Sequence, residues 1–142
     1  MSLNIKTNTK KRNLKTKDEL KQSNNDLALA FIAAKAAEEK KGENIVLLDV
    51  SRLTVIADYF LVISAKSPAQ IEAIAKNIEE SMSKLKYNLI FKEGFPGSNW
   101  TVLDFGNLVV HIMNEKERNY YKLERFWSNA VVIDNKVWEK AS

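Results

Sequence analysis

One histidine, three aspartates near strand ends and a group of aromatics are the side chains of this sequence that could do chemistry or grip a partner. His111 is the sole histidine and therefore the sole conventional base at neutral pH. On an extended strand it shares a face with Val109 and Met113, opposite Leu108, Val110 and Ile112. No nucleophile at a recognisable spacing accompanies it, so it reads as a hydrogen-bonded core or interface residue rather than a catalyst. Asp49, Asp58 and Asp104 could be drawn as a metal cluster. Two-metal nucleotidyl transfer, however, needs carboxylates that share ions about 4 Å apart. No Asp-x-Asp or Glu-x-Asp pair falls on a predicted strand. Asp58 is better read as bracing the loop that enters its strand, and Asp104 as bracing a hairpin. Asp104-Phe105-Gly106 spells the magnesium motif of protein kinases, but the glycine-rich loop, strand lysine and catalytic loop that give it meaning are missing. Four glycines are too few for a phosphate-cradling loop, and the absence of cysteine excludes disulfides, thiolate metal sites and thiol nucleophiles.

The aromatics say more. Trp100 follows a Phe-Pro-Gly-Ser-Asn turn and opens a strand, which puts its ring near the rim of a sheet. A rim tryptophan suits an interface anchor, because it covers much area at low entropic cost. The alternative is a ring folded under its own loop. Phe105, at the hairpin tip, carries the same two readings. Tyr120 and Tyr121 point about 100° apart on a helix, so at least one belongs near the surface. Phe126 and Trp127, at helical spacing with Leu123, read as core.

These residues need a scaffold, and 142 residues with 45% hydrophobic content provide one domain plus a tail. No run approaches the roughly 18 apolar residues of a membrane span. The net charge is +4, yet residues 1–17 hold six cations and no acid. The remainder therefore holds 16 basic and 18 acidic side chains, a net −2. Such a body binds phosphate backbones poorly and suits a basic protein partner. The leader, taken as residues 1–25, reads as a solvated segment. RNA contact and an organellar presequence are the alternatives.

Asp26 is the predicted N-cap of a helix over Leu27 to Lys41, with Gly42 as its left-handed stop. Ile45–Val50 and Tyr59–Ala65 are continuous apolar runs, hence strands buried on both faces. Ser67-Pro68-Ala69-Gln70 supplies cap, first-turn proline and capping-box partner for a helix with Ile71, Ile74, Ala75, Ile78, Met82 and Leu85 on one stripe. Leu89–Phe95 is a further strand. Trp100–Phe105 and Leu108–Met113 flank Gly106-Asn107, a two-residue hairpin turn. Asn114 and Glu117 form a second capping box, opening a helix through Tyr120, Leu123, Phe126, Trp127 and Ala130, and Val131–Trp138 is a short final strand or extended tail. The expected fold is α/β, a mixed sheet of about five strands flanked by helices.

Several of these pieces recur together. They are Ala57-Asp58-Tyr59-Phe60-Leu61-Val62-Ile63-Ser64, Gln70 with Ala73-Ile74-Ala75, Glu93-Gly94, Trp100-x-x-Leu103-Asp104-Phe105-Gly106, Val109-Val110-His111, and Arg118-x-Tyr120-Tyr121-x-Leu123-Glu124-x-Phe126-Trp127. In this order and spacing the chain, from about Asp26 to Val131, resembles the ribosomal silencing factor family, also called the Iojap-related or oligomerisation-domain family. Asn107 departs from its pattern, which usually has an acid there. The resemblance implies a sheet similar to that of nucleotidyltransferases in a single domain over residues 26–142, without catalysis, cofactor, metal or small-molecule substrate. It implies binding to the large ribosomal subunit, on the ribosomal protein numbered fourteen, which blocks joining of the small subunit. The contact residues expected on this basis are Trp100, Leu103, Asp104, Phe105, Asn107 and Tyr120. Ser67, Gln70, Asn114 and Glu117 have structural capping roles. A metal-dependent nucleotidyltransferase-like enzyme and a self-associating module, such as a homodimer through a sheet edge, are the rival readings. The location implied is cytoplasmic, or an organelle matrix if the leader is a presequence.

The leader lacks apolar periodicity, so removing residues 1–24 should leave cooperative thermal melting in place. Loss of a single sharp transition in the truncated protein would show that the leader packs on the domain.

Overall fold

Every residue of one strand, Tyr59–Ala65, is buried, and the architecture follows from covering it on both sides. The computed structural model describes residues 17–122, 125 and 129–134. In chain order the elements are α1 (Lys17–Glu39), β1 (Glu43–Asp49), β2 (Tyr59–Ala65), α2 (Pro68–Lys84), β3 (Phe91–Glu93), β4 (Trp100–Asp104), β5 (Leu108–Asn114), α3 (Glu115–Tyr121) and β6 (Val131–Ile133). The strands form one open sheet of order β3-β4-β5-β2-β1-β6. β2 pairs in parallel with β5, from Tyr59 opposite Leu108 to Ala65 opposite Asn114, and antiparallel with β1. The mixed α/β sheet expected from the sequence is thus present with six strands, the sixth being the short β6 against β1. Residues 135–138 of the expected final segment lie outside the described residues.

α1 and α2 cover one face. The α1 alanines 30, 33, 34, 36 and 37 are all buried, and their small side chains let the helix close on α2 and the sheet. α2 supplies Ile71, Ile74, Ala75, Ile78 and Met82 to the same core. Leu85 does not join them: it follows the last helical residue and is half exposed.

Two helix boundaries differ from expectation for identifiable reasons. α1 begins at Lys17, so Asp26 is an interior residue and not an N-cap, and residues 17–25 of the expected leader are helical. A mid-helix aspartate costs under ~1 kcal/mol of intrinsic propensity. Asp26 offsets that with tertiary hydrogen bonds, accepting from Asn107 Nδ2 at 2.9 Å and from the Tyr87 hydroxyl at 3.5 Å. At the other end Lys41, not Gly42, takes the left-handed conformation, with φ 66°. Gly42 N–H donates to Ala37 O and Lys41 N–H to Glu38 O, the paired bonds of a Schellman motif. Gly42 is required instead by crowding, since a Cβ there would lie 2.9 Å from Ile63 Cγ2.

β3 is shorter than the predicted Leu89–Phe95 strand. Gly94, with φ 123°, turns the backbone against β4, where a Cβ would stand 2.6 Å from Thr101 Oγ1. α3 opens as expected, with Asn114 Oδ1 accepting from Glu117 N–H at 2.8 Å. The reciprocal half of that box is replaced, because Asn114 N–H donates to Asn99 O. α3 stops at Tyr121, where Lys122 turns left-handed. Leu123, Phe126 and Trp127, expected on the same helix, lie outside the described residues, and Ala130 is half-buried beyond it.

Gln70 does more than close a box. Ser67 Oγ accepts from Gln70 N–H at 3.1 Å, while Gln70 Oε1 accepts from Lys66 N–H, one residue before the cap. Its Nε2 donates to the carbonyls of Lys40 and Lys41 at 3.1 and 2.9 Å. One side chain thus ties the end of α1 to the start of α2. Gln70→Met removes all three bonds at a partly solvated site, and should cost about 1–2 kcal/mol. Urea denaturation should show this as a lower midpoint at unchanged slope, and an unshifted midpoint would refute the latch.

Candidate docking site

β4 alternates its side chains between two environments. Thr101 and Leu103 turn toward the α1–α2 face, while Trp100, Val102 and Asp104 turn to the opposite face. On that second face Leu48, Val50, Ala57, Phe60, Val102 and Val109 form a smaller core, with Trp100 packed against its edge. Arg118 of α3 anchors the cover of this face. Its buried guanidinium donates from Nη1 to Ser64 Oγ on β2 at 2.8 Å and to Asn44 O on β1 at 2.5 Å. Among the described residues the cover does not extend over β3, whose Phe91 and Glu93 sit opposite Asp104 and Val102.

An aromatic surface results. Phe95 is 74% exposed and Tyr120 80%, with Tyr121 at 44% and Trp100 half-buried beside them, whereas Phe91, also exposed, lies opposite Asp104 at the hairpin end of the edge. Glu93, Gly94, Phe95, Ser98, Trp100, Val102 and Tyr121 line a shallow depression of about 290 Å³. The turn before Trp100 is held by Ser98, which accepts from Trp100 N–H at 3.2 Å and donates to Trp100 O at 2.8 Å. The indole leans on Tyr121, with ring centroids 5.0 Å apart, and its Nε1–H donates to His111 Nδ1 at 3.2 Å.

The residues picked from the sequence separate into three groups. Trp100 and Tyr120 lie on the aromatic surface. Leu103 and Phe105 do not: they are 0% and 4% exposed, with Phe105 stacked on Tyr87 at 5.9 Å. The same alternation that turns Trp100 out turns these two in, so their side chains offer a partner nothing without repacking. Asp104 and Asn107 belong to the hairpin end of β4, Asp104 lying four residues and so about 13 Å along the strand from Trp100. Asp104 Oδ1 accepts from Gly106 N–H at 2.7 Å, the bracing expected of it, and Gly106 has the positive φ of a primed turn's first central residue. Asn107 is a tie between elements, its side chain on Asp26 of α1 and its carbonyl on the N–H groups of Asp58 and Tyr59 at the start of β2. Asp49 Oδ1 is likewise engaged locally, by Ser51 N–H and Oγ. Of the residues around Trp100, sequence reasoning missed Phe95, and of the Tyr120/Tyr121 pair it picked only Tyr120.

His111 is fully buried against Phe60, and burial pushes its pKa down to about 4. It is neutral at pH 7. An indole can only donate, so Nδ1 holds the lone pair and Nε2 the proton. Tyr87, partly buried beside Asp26, is pushed the other way, up to about 12.

Residues 21–142 match the profile of a family described as "Ribosomal silencing factor during starvation". The chain belongs to this family. The ribosomal silencing factor RsfS of Bacillus subtilis is 36% identical over 110 residues, covering 78% of this chain and 93% of that one. The chloroplastic Iojap protein of maize is 37% identical over 108 residues, 76% of this chain and 47% of its own longer one. A crystal structure of a Chromobacterium violaceum protein superposes with a TM-score of 0.70 at 29% identity, over 72% of this chain and 85% of that one. A second, from Bacillus halodurans, gives 0.67 at 29%, over 76% and 98%.

The lowered pKa has a signed consequence. Unfolded, His111 gains its proton near pH 6.5; folded, only near 4. Between those values the unfolded chain binds the extra proton, so stability is complete above about pH 6.5 and falls as the pH drops toward 4. The window spans roughly 3 kcal/mol. His111→Phe removes it, so the variant's melting temperature should gain on wild type as pH falls from 7 to 4.5. Parallel pH profiles would contradict the buried neutral ring.

Proposed function

We propose that this protein is a translational silencer that docks on the large ribosomal subunit, through the ribosomal protein numbered fourteen, and sterically blocks joining of the small subunit. The observation that carries the reading is the aromatic surface of Phe95, Trp100, Tyr120 and Tyr121, at a sheet edge left uncovered by the described residues. Exposed aromatics clustered around a half-buried tryptophan have the make-up of an interface anchor. Glu93 and Asp104 at the border of this surface give it acidic groups. These and the −2 body suit a basic ribosomal protein better than bare RNA. Family membership and the names of the relatives support ribosome association. The mechanism needs bulk at the subunit interface and neither cofactor nor energy source. Binding rather than catalysis also fits the carboxylates, since Asp49 and Asp104 are engaged within their own turns.

The contact set proposed here is narrower than the six residues picked from the sequence. It keeps Trp100 and Tyr120, adds Phe95 and Tyr121, and leaves Asp104 and Asn107 to shape the hairpin at the border, beside Phe91. Trp100→Ala should weaken binding to purified large subunits at least tenfold, about 1.4 kcal/mol, without abolishing cooperative melting. The check is co-sedimentation or a pull-down at two salt concentrations. Wild-type affinity in the variant would remove Trp100 from the interface. Self-association with no recovery of ribosomal components would favour the assembly-module reading instead.

A further inference from the structure

His111 is hard to account for as a core residue. Its ring is 0% exposed, and with Nδ1 accepting from Trp100 the Nε2 proton finds no acceptor among the described residues. A buried donor without a partner destabilises a fold. Phenylalanine would fill the same space beside Phe60 with no such donor. Trp100, for its part, is only partly buried, with its Nε1–H turned inward onto His111. What the bond does is select one orientation. The indole lies between His111, at 6.0 Å, and Tyr121, at 5.0 Å. A rotated ring would keep much of the apolar contact but lose the Nε1–H to Nδ1 link. A hydrogen bond received in a dry interior is strong enough to fix that choice.

We infer that His111 is a positioning residue, which holds the Trp100 indole in one orientation ready for the ribosomal partner, at a cost to the stability of the domain itself. The inference rests on the Trp100 face being the docking surface. Its physical basis is preorganisation: a side chain already fixed loses less freedom on binding. It also fits the general pattern that groups unfavourable for folding collect where a protein functions.

The test uses the full chain and the variants His111→Phe, Trp100→Phe and the double substitution. At pH 7 the His111→Phe protein should melt at or above the wild-type temperature. The indole N–H resonance of Trp100, assigned by its absence in Trp100→Phe, should shift toward that of a free indole. Affinity for large subunits should fall about three- to tenfold. In the Trp100→Phe background His111→Phe should have no further effect on affinity, because it acts through the indole. A variant that melts lower and binds as tightly as wild type would make His111 a core residue only and overturn the inference. So would an affinity loss of the same size in both backgrounds. One measurement is made on the wild-type protein alone once the resonance is assigned: the Trp100 indole proton should exchange with solvent much more slowly than in free tryptophan. Fast exchange, with Trp100 still essential for binding, would overturn the role of His111 alone. Slow exchange, with Trp100→Ala binding like wild type, would instead overturn the docking surface, and the inference with it.

Discussion

A strand buried at all seven positions has to be covered from above and below, and β2 imposes that demand on the rest of the chain. Its backbone is satisfied sideways, by β1 on one edge and β5 on the other. Its side chains need two separate layers. α1 and α2 supply one. α3, locked by Arg118 to Ser64 of β2 and Asn44 of β1, starts the other. Among the described residues, the second layer does not reach the β3 edge of the sheet. The bare end of the sheet is therefore a by-product of how the chain distributes its covering elements, and the aromatic surface lies where that cover stops.

The parts of the fold that could be read from the sequence are those in which local chemistry and tertiary position agree. Tyr59–Ala65 is apolar without interruption because both its faces are dry. Ser67-Pro68 is a helix start because proline there loses no hydrogen bond. Gly106-Asn107 is a hairpin because a primed turn needs a positive φ at its first central residue. Asp26 was misread because an aspartate ahead of an apolar stripe signals a cap equally well when its real partner is a distant asparagine. Lys41 was missed because nothing local marks a lysine that will turn left-handed; the tight contact of Gly42 with Ile63 is a tertiary fact.

The candidate site was legible in its anchor and obscured in its outline. Trp100 and Tyr120 could be picked out by type and by neighbouring turn residues. Leu103 and Phe105 were assigned to the same rim because they lie near Trp100 in sequence. Alternation along β4 puts them on the other side. That alternation is hard to see in the letters, since Thr101, a polar residue, is buried between Trp100 and Val102. The polar ties are a separate matter. Gln70, Asn107 and Arg118 each join elements far apart in the chain, and no spacing rule applied to one segment could have revealed their partners.

The order of the strands also shapes how the chain can fold as it is made. The central β2 must wait for β5, which arrives only after α2, β3 and β4, and β1 must wait longer still for β6, the last described element. Pairings between such distant segments form slowly, because a large loop must close before any contact rewards it. During synthesis the apolar edge of β2 is therefore exposed until β5 emerges. The α1–β1–β2–α2 segment is then a half-sheet with both outer edges bare, β2's until β5 arrives and β1's until β6, each open to pairing with any extended chain nearby. Folding of this domain is best protected if that interval is short, or if something occupies the open edge until β5 arrives.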